Sequence, residues 1–326
     1  MSVLAPAQRP LASLSLDLDN EWAYLKTRGD VAWREHPSYL DTVVPFIEAA
    51  LAKQRLRITV FVVGQDAALP GNRAALQRLA GAGHEIANHS MWHEPWLQER
   101  TAAELDAELQ AAEDAILAAT GQRPRGFRGP GFSLSSAVLE VLARRGYRYD
   151  ASTFPSILGP VARAYYLLRS GADRAQRQRL ARLFGRFSDA LRPLQPYRWQ
   201  WPGAHLVEMP VTTMPLLRLP MHMSYVQFLA RVSPALAVAY FRFGLALCRL
   251  RGVAPSVLLH PLDFLDAQAV PSLRFFPTMD VPATRKRAVV DRCLALLCTH
   301  FEVVTVGEHA ARADAHPLPN RLAHAA

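Results

Sequence analysis

Ionisable residues stand where short apolar runs end. They are Asp17 and Asp19 in Leu14-Ser-Leu-Asp-Leu-Asp19, His89 and His93 in His89-Ser-Met-Trp-His93, Arg128 in Phe127-Arg-Gly-Pro-Gly131, Asp150 in Tyr147-Arg-Tyr-Asp150, and His260 in Leu258-Leu-His260. Asp17 and Asp19 are two positions apart, so on a strand their side chains leave the same face. Such a pair can divide labour, one carboxylate binding a metal and the other taking a proton; capping a helix or facing solvent are the plainer alternatives. The i, i+4 spacing of His89 and His93 places both imidazoles on one side of a helical turn, which suits a tetrahedral or octahedral metal. Two histidines and the Asp19 carboxylate would leave coordination positions open to water and substrate, the layout of a catalytic site. Arg128, at a Gly/Pro turn, can make a charge-assisted bond to a carboxylate. A lone histidine such as His260, following an apolar strand, is more often a satisfied core residue.

For these side chains to meet, the elements ending in them must lie side by side. Apolar alternation or continuous β-rich runs predict strands at 14–19, 57–63, 85–88, 126–128, 147–150, 256–260 and 301–305. Helical periodicity predicts helices over 38–53, 72–82, 101–120, 135–145 and 284–298. Thr101 with Glu104 forms a capping box, and Gly121 ends that helix. Alternating strands and helices imply an α/β fold with a parallel sheet. The recurrence of polar residues at strand C-terminal ends matches the functional face of a (β/α) barrel. Residues 156–252 break the rhythm: a basic stretch, a Pro/Trp-rich loop at 193–203, a strand at 205–211 and an apolar helical stretch at 225–250. They read as a long, mostly helical insertion within a single domain spanning 1–326. The polar tail after about Ala311 is expected to fray.

Taken together in chain order, these motifs resemble the polysaccharide deacetylase family (carbohydrate esterase family 4, the NodB-homology domain). The matching segments are Ser15-Leu-Asp-Leu-Asp19, His89-Ser-Met-Trp-His93, Arg128-Gly-Pro130, Tyr149-Asp-Ala-Ser-Thr153 and Leu258-Leu-His260. The resemblance covers roughly residues 12–155 and 253–306. The first segment departs from the family's commonest form because Leu18 separates the aspartates, as in a D-x-D subset, and the fourth lacks the usual tryptophan. The resemblance implies a distorted (β/α) barrel of the NodB-homology type. It implies Asp17 as base, Asp19, His89 and His93 as metal ligands, His260 as acid, Arg128 orienting Asp17, and Asp150 tuning His260 or Arg128. An oxyanion would be held by the metal and a backbone N–H near Gly131 or Phe132. The cofactor implied is one divalent ion, zinc by default, with Fe(II), Co or Mn suited to the same ligands.

Composition bears on the substrate. The chain carries a formal charge of +9 and a pI of about 9.9, which favours an anionic partner. Nine arginines fall between Pro160 and Gln200 (163, 169, 174, 177, 179, 182, 186, 192 and 198), against two aspartates and no lysine or glutamate. They are either a solvated face or a contact for an anionic head group or membrane surface; they match no nucleic-acid-binding motif. The three cysteines, Cys248, Cys293 and Cys298, read as ordinary semi-buried thiols and a reducing compartment. The opening residues lack the pattern of a secretory signal. The expectation is a cytoplasmic enzyme, peripheral to the inner face of the membrane, that removes an acetyl or formyl group from an amino sugar, polyprenyl-phosphate- or lipid-linked. An amidase of small linear or ureide amides and a non-catalytic carbohydrate- or lipid-binding module are the alternatives.

Overall fold

The structure, a computed structural model, describes residues 9–158, 190–201 and 204–323. Its described strands join one mixed sheet in the order β10-β6-β7-β5-β4-β3-β2-β1-β8 (β10 Asn320–Leu322, β6 Tyr197–Trp201, β7 Ala204–Glu208, β5 Tyr149–Asp150, β4 Gly126–Phe127, β3 Glu85–Asn88, β2 Thr59–Val62, β1 Leu11–Asp17, β8 Ser256–Leu259). β9 (Glu302–Val304) pairs with the start of β1. All pairings are parallel except the β6–β7 hairpin. Helices 40–53, 73–81, 102–120, 136–144 and 283–300 cover the outside. The alternation of strands and helices gives the parallel sheet that it predicts, and the arrangement is consistent with the distorted (β/α) barrel that the resemblance implies.

β1 explains the arrangement. Leu14, Leu16 and Leu18 are fully buried in the main core with Val43, Val44 and Ile47 of helix 40–53. Ser13, Ser15 and Asp17 leave the opposite face and are buried too. Both faces of this strand are covered, as in parallel sheets generally. Register then delivers the polar groups. Leu16 lies opposite Leu259, so Asp17 and His260 come next on adjacent strands. Asn88 pairs with Phe127, so His89 and Arg128 follow together.

One expectation is corrected, and the described part of 156–252 takes part in the sheet. The tail does not fray: helix Val306–Asp314 follows β9, β10 pairs with β6, and Ala323 is buried. The described part of 156–252 is woven into the barrel: β7 pairs with β5, and helices Met223–Ala230 and Pro234–Leu250 bury Val226, Phe241 and Leu245 in the main core. The hairpin register conceals itself in sequence because β6 carries two tryptophans, a tyrosine and an arginine rather than an aliphatic run. Cys248 and Cys293 are buried free thiols and Cys298 is half-buried.

The turn after β1 is held by a single carboxylate. Asp66 Oδ1 accepts from Asn20 Nδ2 at 2.7 Å, Trp22 Nε1 at 2.9 Å and Asn72 Nδ2 at 3.1 Å. Asn20 also caps helix Glu21–Arg28, fixing the exit from Asp19. Burial pushes the Asp66 carboxyl up to about 7, although its three donors act against that. A raised folded-state value binds protons that the unfolded chain releases, so this stabilisation is complete below the ordinary value of 3.8 and fades as pH rises through about 7. Asp66→Ala, which strands the three donors, is expected to cost at least ~2 kcal/mol in urea unfolding. For Asp66→Asn, the stability of wild type relative to the variant should decline between pH 4 and 7 (roughly the interval between the two values). A difference that grows with pH would contradict the assignment.

Candidate active site

Arg128 is fully buried and organises the site. Its Nη1 donates to Asp17 Oδ1 at 2.6 Å and Ser15 Oγ at 2.9 Å, and its Nε donates to the Ala151 carbonyl at 2.9 Å. The guanidinium lies 4.2 Å from the centroid of the Phe61 ring. Asp17 is thereby fixed with Oδ2 turned toward His260, whose Nε2 is 3.9 Å away. Base and acid candidates thus face one space from adjacent strands.

Asp19, His89 and His93 converge beside them, with one ligand atom from each lying within 4.8 Å of the others. Asp19 Oδ1 is 3.0 Å from His93 Nε2 and 3.3 Å from His89 Nε2. Metal–ligand bonds of about 2.1 Å at right to tetrahedral angles separate ligand atoms by about 3.0–3.4 Å, so the spacing fits a divalent ion. His89 Nδ1 donates to the Arg128 carbonyl at 2.7 Å, which leaves Nε2 as the ligand atom. Tyr24 donates its hydroxyl proton to Asp19 Oδ2 at 3.2 Å. Burial opposes the charge of Asp19, but the two imidazoles hold its carboxyl well below the usual range. Burial likewise opposes a charged His89, yet Asp17 and Asp19 push that imidazole up. A site this rich in negative charge favours a cation.

The histidine pair does not sit on a helical turn. The chain leaves β3 and bends, with Ser90 and His93 in the left-handed region (φ 64° and 49°). Glu108, on helix 102–120, accepts from the backbone N–H groups of Met91 and Trp92 and holds this loop in place. Proximity therefore comes from a braced loop rather than from the i, i+4 period.

Asp150 is buried, and its hydrogen bonds go to Ser152 and to Glu208, the residue opposite it on β7. Its charge faces Arg128 rather than making a bond to His260. Burial pushes both carboxyls up, Glu208 well above the ordinary range, where the neighbouring Asp150 adds to the push. Trp199 Nε1 and the Thr153 N–H donate to Glu208 at 2.7 and 2.9 Å. Ser152 Oγ in turn accepts from the Gly129 N–H at 2.8 Å, linking the pair to the Arg128 turn. Gly131 has φ 60° within that turn. The Phe132 N–H, one of the two oxyanion donors expected, donates to the Gly129 carbonyl at 2.9 Å within the turn.

Sequence reading missed several groups. Phe132 stacks on Phe154 with centroids 4.9 Å apart, and Phe154, His222 and Tyr225 continue an aromatic wall toward His260. This wall stands on the side of the fourth motif, where the usual tryptophan is lacking. Glu208 had a legible signal, a charge within the apolar run Leu206–Met209. Ser224 and His222 had none. Of the nine clustered arginines, 163–186 lie outside the described residues. Arg198 pairs with Asp314 at 2.6 Å, and Arg192 packs over Trp199.

Residues 33–149 match the sequence profile of the polysaccharide deacetylase family, a stretch that holds His89, His93 and Arg128 but not Asp17, Asp19 or His260. The chain is similar to an uncharacterized protein of Bacillus subtilis (strain 168), 28% identical over 36% of this chain and 34% of that one. It is also similar to a chitooligosaccharide deacetylase of Bradyrhizobium sp. (strain ANU 289), 34% identical over 31% of this chain and 46% of that one. The chain thus aligns with less than half the length of these curated relatives. A crystal structure from Mycobacterium smegmatis, described as a candidate polysaccharide deacetylase, shares the fold with a TM-score of 0.61, 20% identity and 97% coverage of both chains.

The geometry predicts one divalent ion per chain. His93→Ala is expected to lose most bound metal, whereas Asp17→Asn, which leaves the three ligands intact, is expected to keep it. Elemental analysis of the purified proteins checks this; equal metal in wild type and His93→Ala would refute the ligand assignment.

Proposed function

From the premise that this chain carries a polysaccharide deacetylase domain, we propose that it is a metal-dependent hydrolase removing an acyl group from the nitrogen of an amino sugar. The observation that carries the reading is the juxtaposition of the Arg128-held Asp17 carboxylate, the His260 imidazole 3.9 Å from it, and the Asp19/His89/His93 cluster. A non-catalytic module would have no use for the base and acid positions beside the ligands.

When bound, a divalent ion at Asp19, His89 and His93 supplies polarisation of the acyl carbonyl and acidification of a water; zinc is the default, with Fe(II), Co or Mn compatible. Asp17 takes the water proton through Oδ2, because Arg128 occupies Oδ1. On this reading the Gly131 N–H is the backbone donor assigned to the developing oxyanion. His260 delivers a proton from Nε2 to the leaving nitrogen. Cleaving the acyl C–N bond leaves a carboxylic acid and a free amine. The aromatic wall of Phe132, Phe154 and Tyr225 excludes water from the acyl side and offers a sugar ring an apolar face.

The finer substrate reading is a lipid-linked amino sugar, acetylated or formylated, met at the cytoplasmic face of a membrane. Its support lies on helix Pro234–Leu250, which exposes Leu236, Phe243 and Leu250 together with Arg242 and Arg249, and contains no acidic residue. Apolar and basic groups on one exposed surface suit an anionic interface. Among the described residues no helix is long and apolar enough to cross a membrane.

The test offers zinc-loaded protein N-acetyl and N-formyl amino sugars, free and linked to polyprenyl phosphate, and follows acyl loss by mass spectrometry. Turnover is expected on the lipid-linked form above the free sugar. Asp17→Asn should lower kcat by ~100- to 10,000-fold with metal retained. Asp19→Asn should lose metal, with added metal partly restoring the rate. Turnover of ureides but no amino sugar would sink the proposal.

A further inference from the structure

An imidazole that acts as an acid must carry its proton on the nitrogen facing the substrate and be held from the other. In His260 the nitrogen facing Asp17 is Nε2. Nδ1 lies 3.2 Å from the hydroxyl of Ser224, the second residue of helix Met223–Ala230. The carboxyl of Asp263, which is 1% exposed, lies beside the same hydroxyl, and that neighbour acts against the upward push of burial on it. Asp263 is itself fixed: its Oδ2 accepts the His260 backbone N–H at 2.8 Å, and its carbonyl accepts from Gln227. Beneath it, the fully buried Lys286 of helix 283–300 donates to the carbonyls of Leu262 and Leu265 at 2.9 and 2.8 Å, clamping the turn that carries Asp263.

We propose that Ser224 and Asp263 form a hydrogen-bonded relay that positions His260, with Ser224 bridging the carboxylate to Nδ1. The inference rests on the proposed deacylation only for what His260 does, not for how it is held. Proton bookkeeping sets the direction of each bond. An ionised carboxylate can only accept, so the Ser224 O–H donates to Asp263. The Ser224 oxygen then accepts from Nδ1–H, which fixes the neutral ring in the Nδ1–H tautomer. The lone pair is left on Nε2, where a proton can be taken up and passed to the leaving nitrogen. No covalent bond forms or breaks within the relay.

The charged surroundings are compatible. Burial pushes the Asp263 carboxyl up, and His260 and Lys286 act against that push. Burial also brings Lys286 down to about 8, with Asp263 the foremost of the carboxylates opposing it. The other groups near the ring are Asp17 and His222, the latter with centroid 5.7 Å away and its imidazole held well down by burial and by His260 itself. Neither bonds to Nδ1. Asp150 is engaged elsewhere with Ser152 and Glu208. Ser224 and Asp263 are therefore positioning residues that act through His260.

The experiment uses the full chain, zinc-loaded and 15N-labelled at histidine. Long-range proton–nitrogen NMR reads the His260 tautomer, with the resonance identified by its loss in His260→Gln. The amino-sugar assay is run in parallel. Wild type should show Nδ1–H in the neutral ring. Ser224→Ala should lose ~10- to 100-fold in kcat, part of what acid–base catalysis supplies, with KM nearly unchanged, and Ser224→Thr should recover most of the loss. In Asp263→Asn the amide N–H would face Ser224 and turn its hydroxyl toward Nδ1, so the ring should shift to the Nε2–H tautomer. An Nε2–H tautomer in wild type, or undiminished kcat in Ser224→Ala, would overturn the relay. If no substrate turns over but the tautomer is Nδ1–H and flips in Asp263→Asn, the relay stands and the deacylase reading falls.

Discussion

A buried guanidinium must find its acceptors within the protein, and Arg128 finds them at Nη1 and Nε, while its Nη2 has no hydrogen-bond partner among the described residues. Its charge is taken up by Asp17, Ser15 and the Ala151 carbonyl, and by the face of Phe61. These partners come from β1, β2 and the segment after β5, so one side chain fastens three parts of the barrel. The Arg128 carbonyl also accepts from His89 and so sets which nitrogen of that ring faces the cation cluster. Removing one member of such a buried pair strands the other charge, at a cost of ~3–5 kcal/mol. The orientation of Asp17, the tautomer of His89 and the joining of three parts of the sheet are consequently one problem with one solution.

The carboxyl pair Asp150–Glu208 is the complement to this arrangement. Two fully ionised acids without exposure could not sit side by side, and Arg128 is already committed to Asp17. Burial pushes both carboxyls up, Glu208 the more strongly because Asp150 adds to the push, so the pair resists full ionisation. Through Ser152 and Gly129 it also braces the turn containing Gly131. The wall of the candidate site thus combines a charge balance with a backbone geometry, both depending on β7.

Much of this was legible in the sequence, and what was not has physical reasons. Leu14, Leu16 and Leu18 revealed β1 through their alternation, and Thr101, Glu104 and Gly121 marked a helix whose capping box and left-handed end are present. Asp17 ends β1, and Asp19, His89, Arg128 and His260 follow strand ends, which gather in a parallel sheet of this kind. His89 and His93 converge for a reason different from their spacing, since Glu108 braces a loop where a helical turn was expected. Ser224 and Phe154 are ordinary residues in ordinary segments; only tertiary packing gives them a role. β6 was hidden because its aromatic and charged residues satisfy partners on β7, β10 and helix Val306–Asp314, contacts that no local pattern encodes.

β1 lies between β2 and β8, and the bond from Ser15 to the Val257 carbonyl spans 242 positions of sequence. A ribosome releases chains from the amino end at a finite pace. Asp19, His89 and His93 emerge early, whereas the strand that covers the second edge of β1, along with His260, emerges much later. For that interval the nascent chain offers an uncovered, leucine-rich edge, the kind of surface that recruits unwanted strands. It also holds Asp19, His89 and His93 before His260 has been made. Chaperone protection therefore matters most for half-made chains.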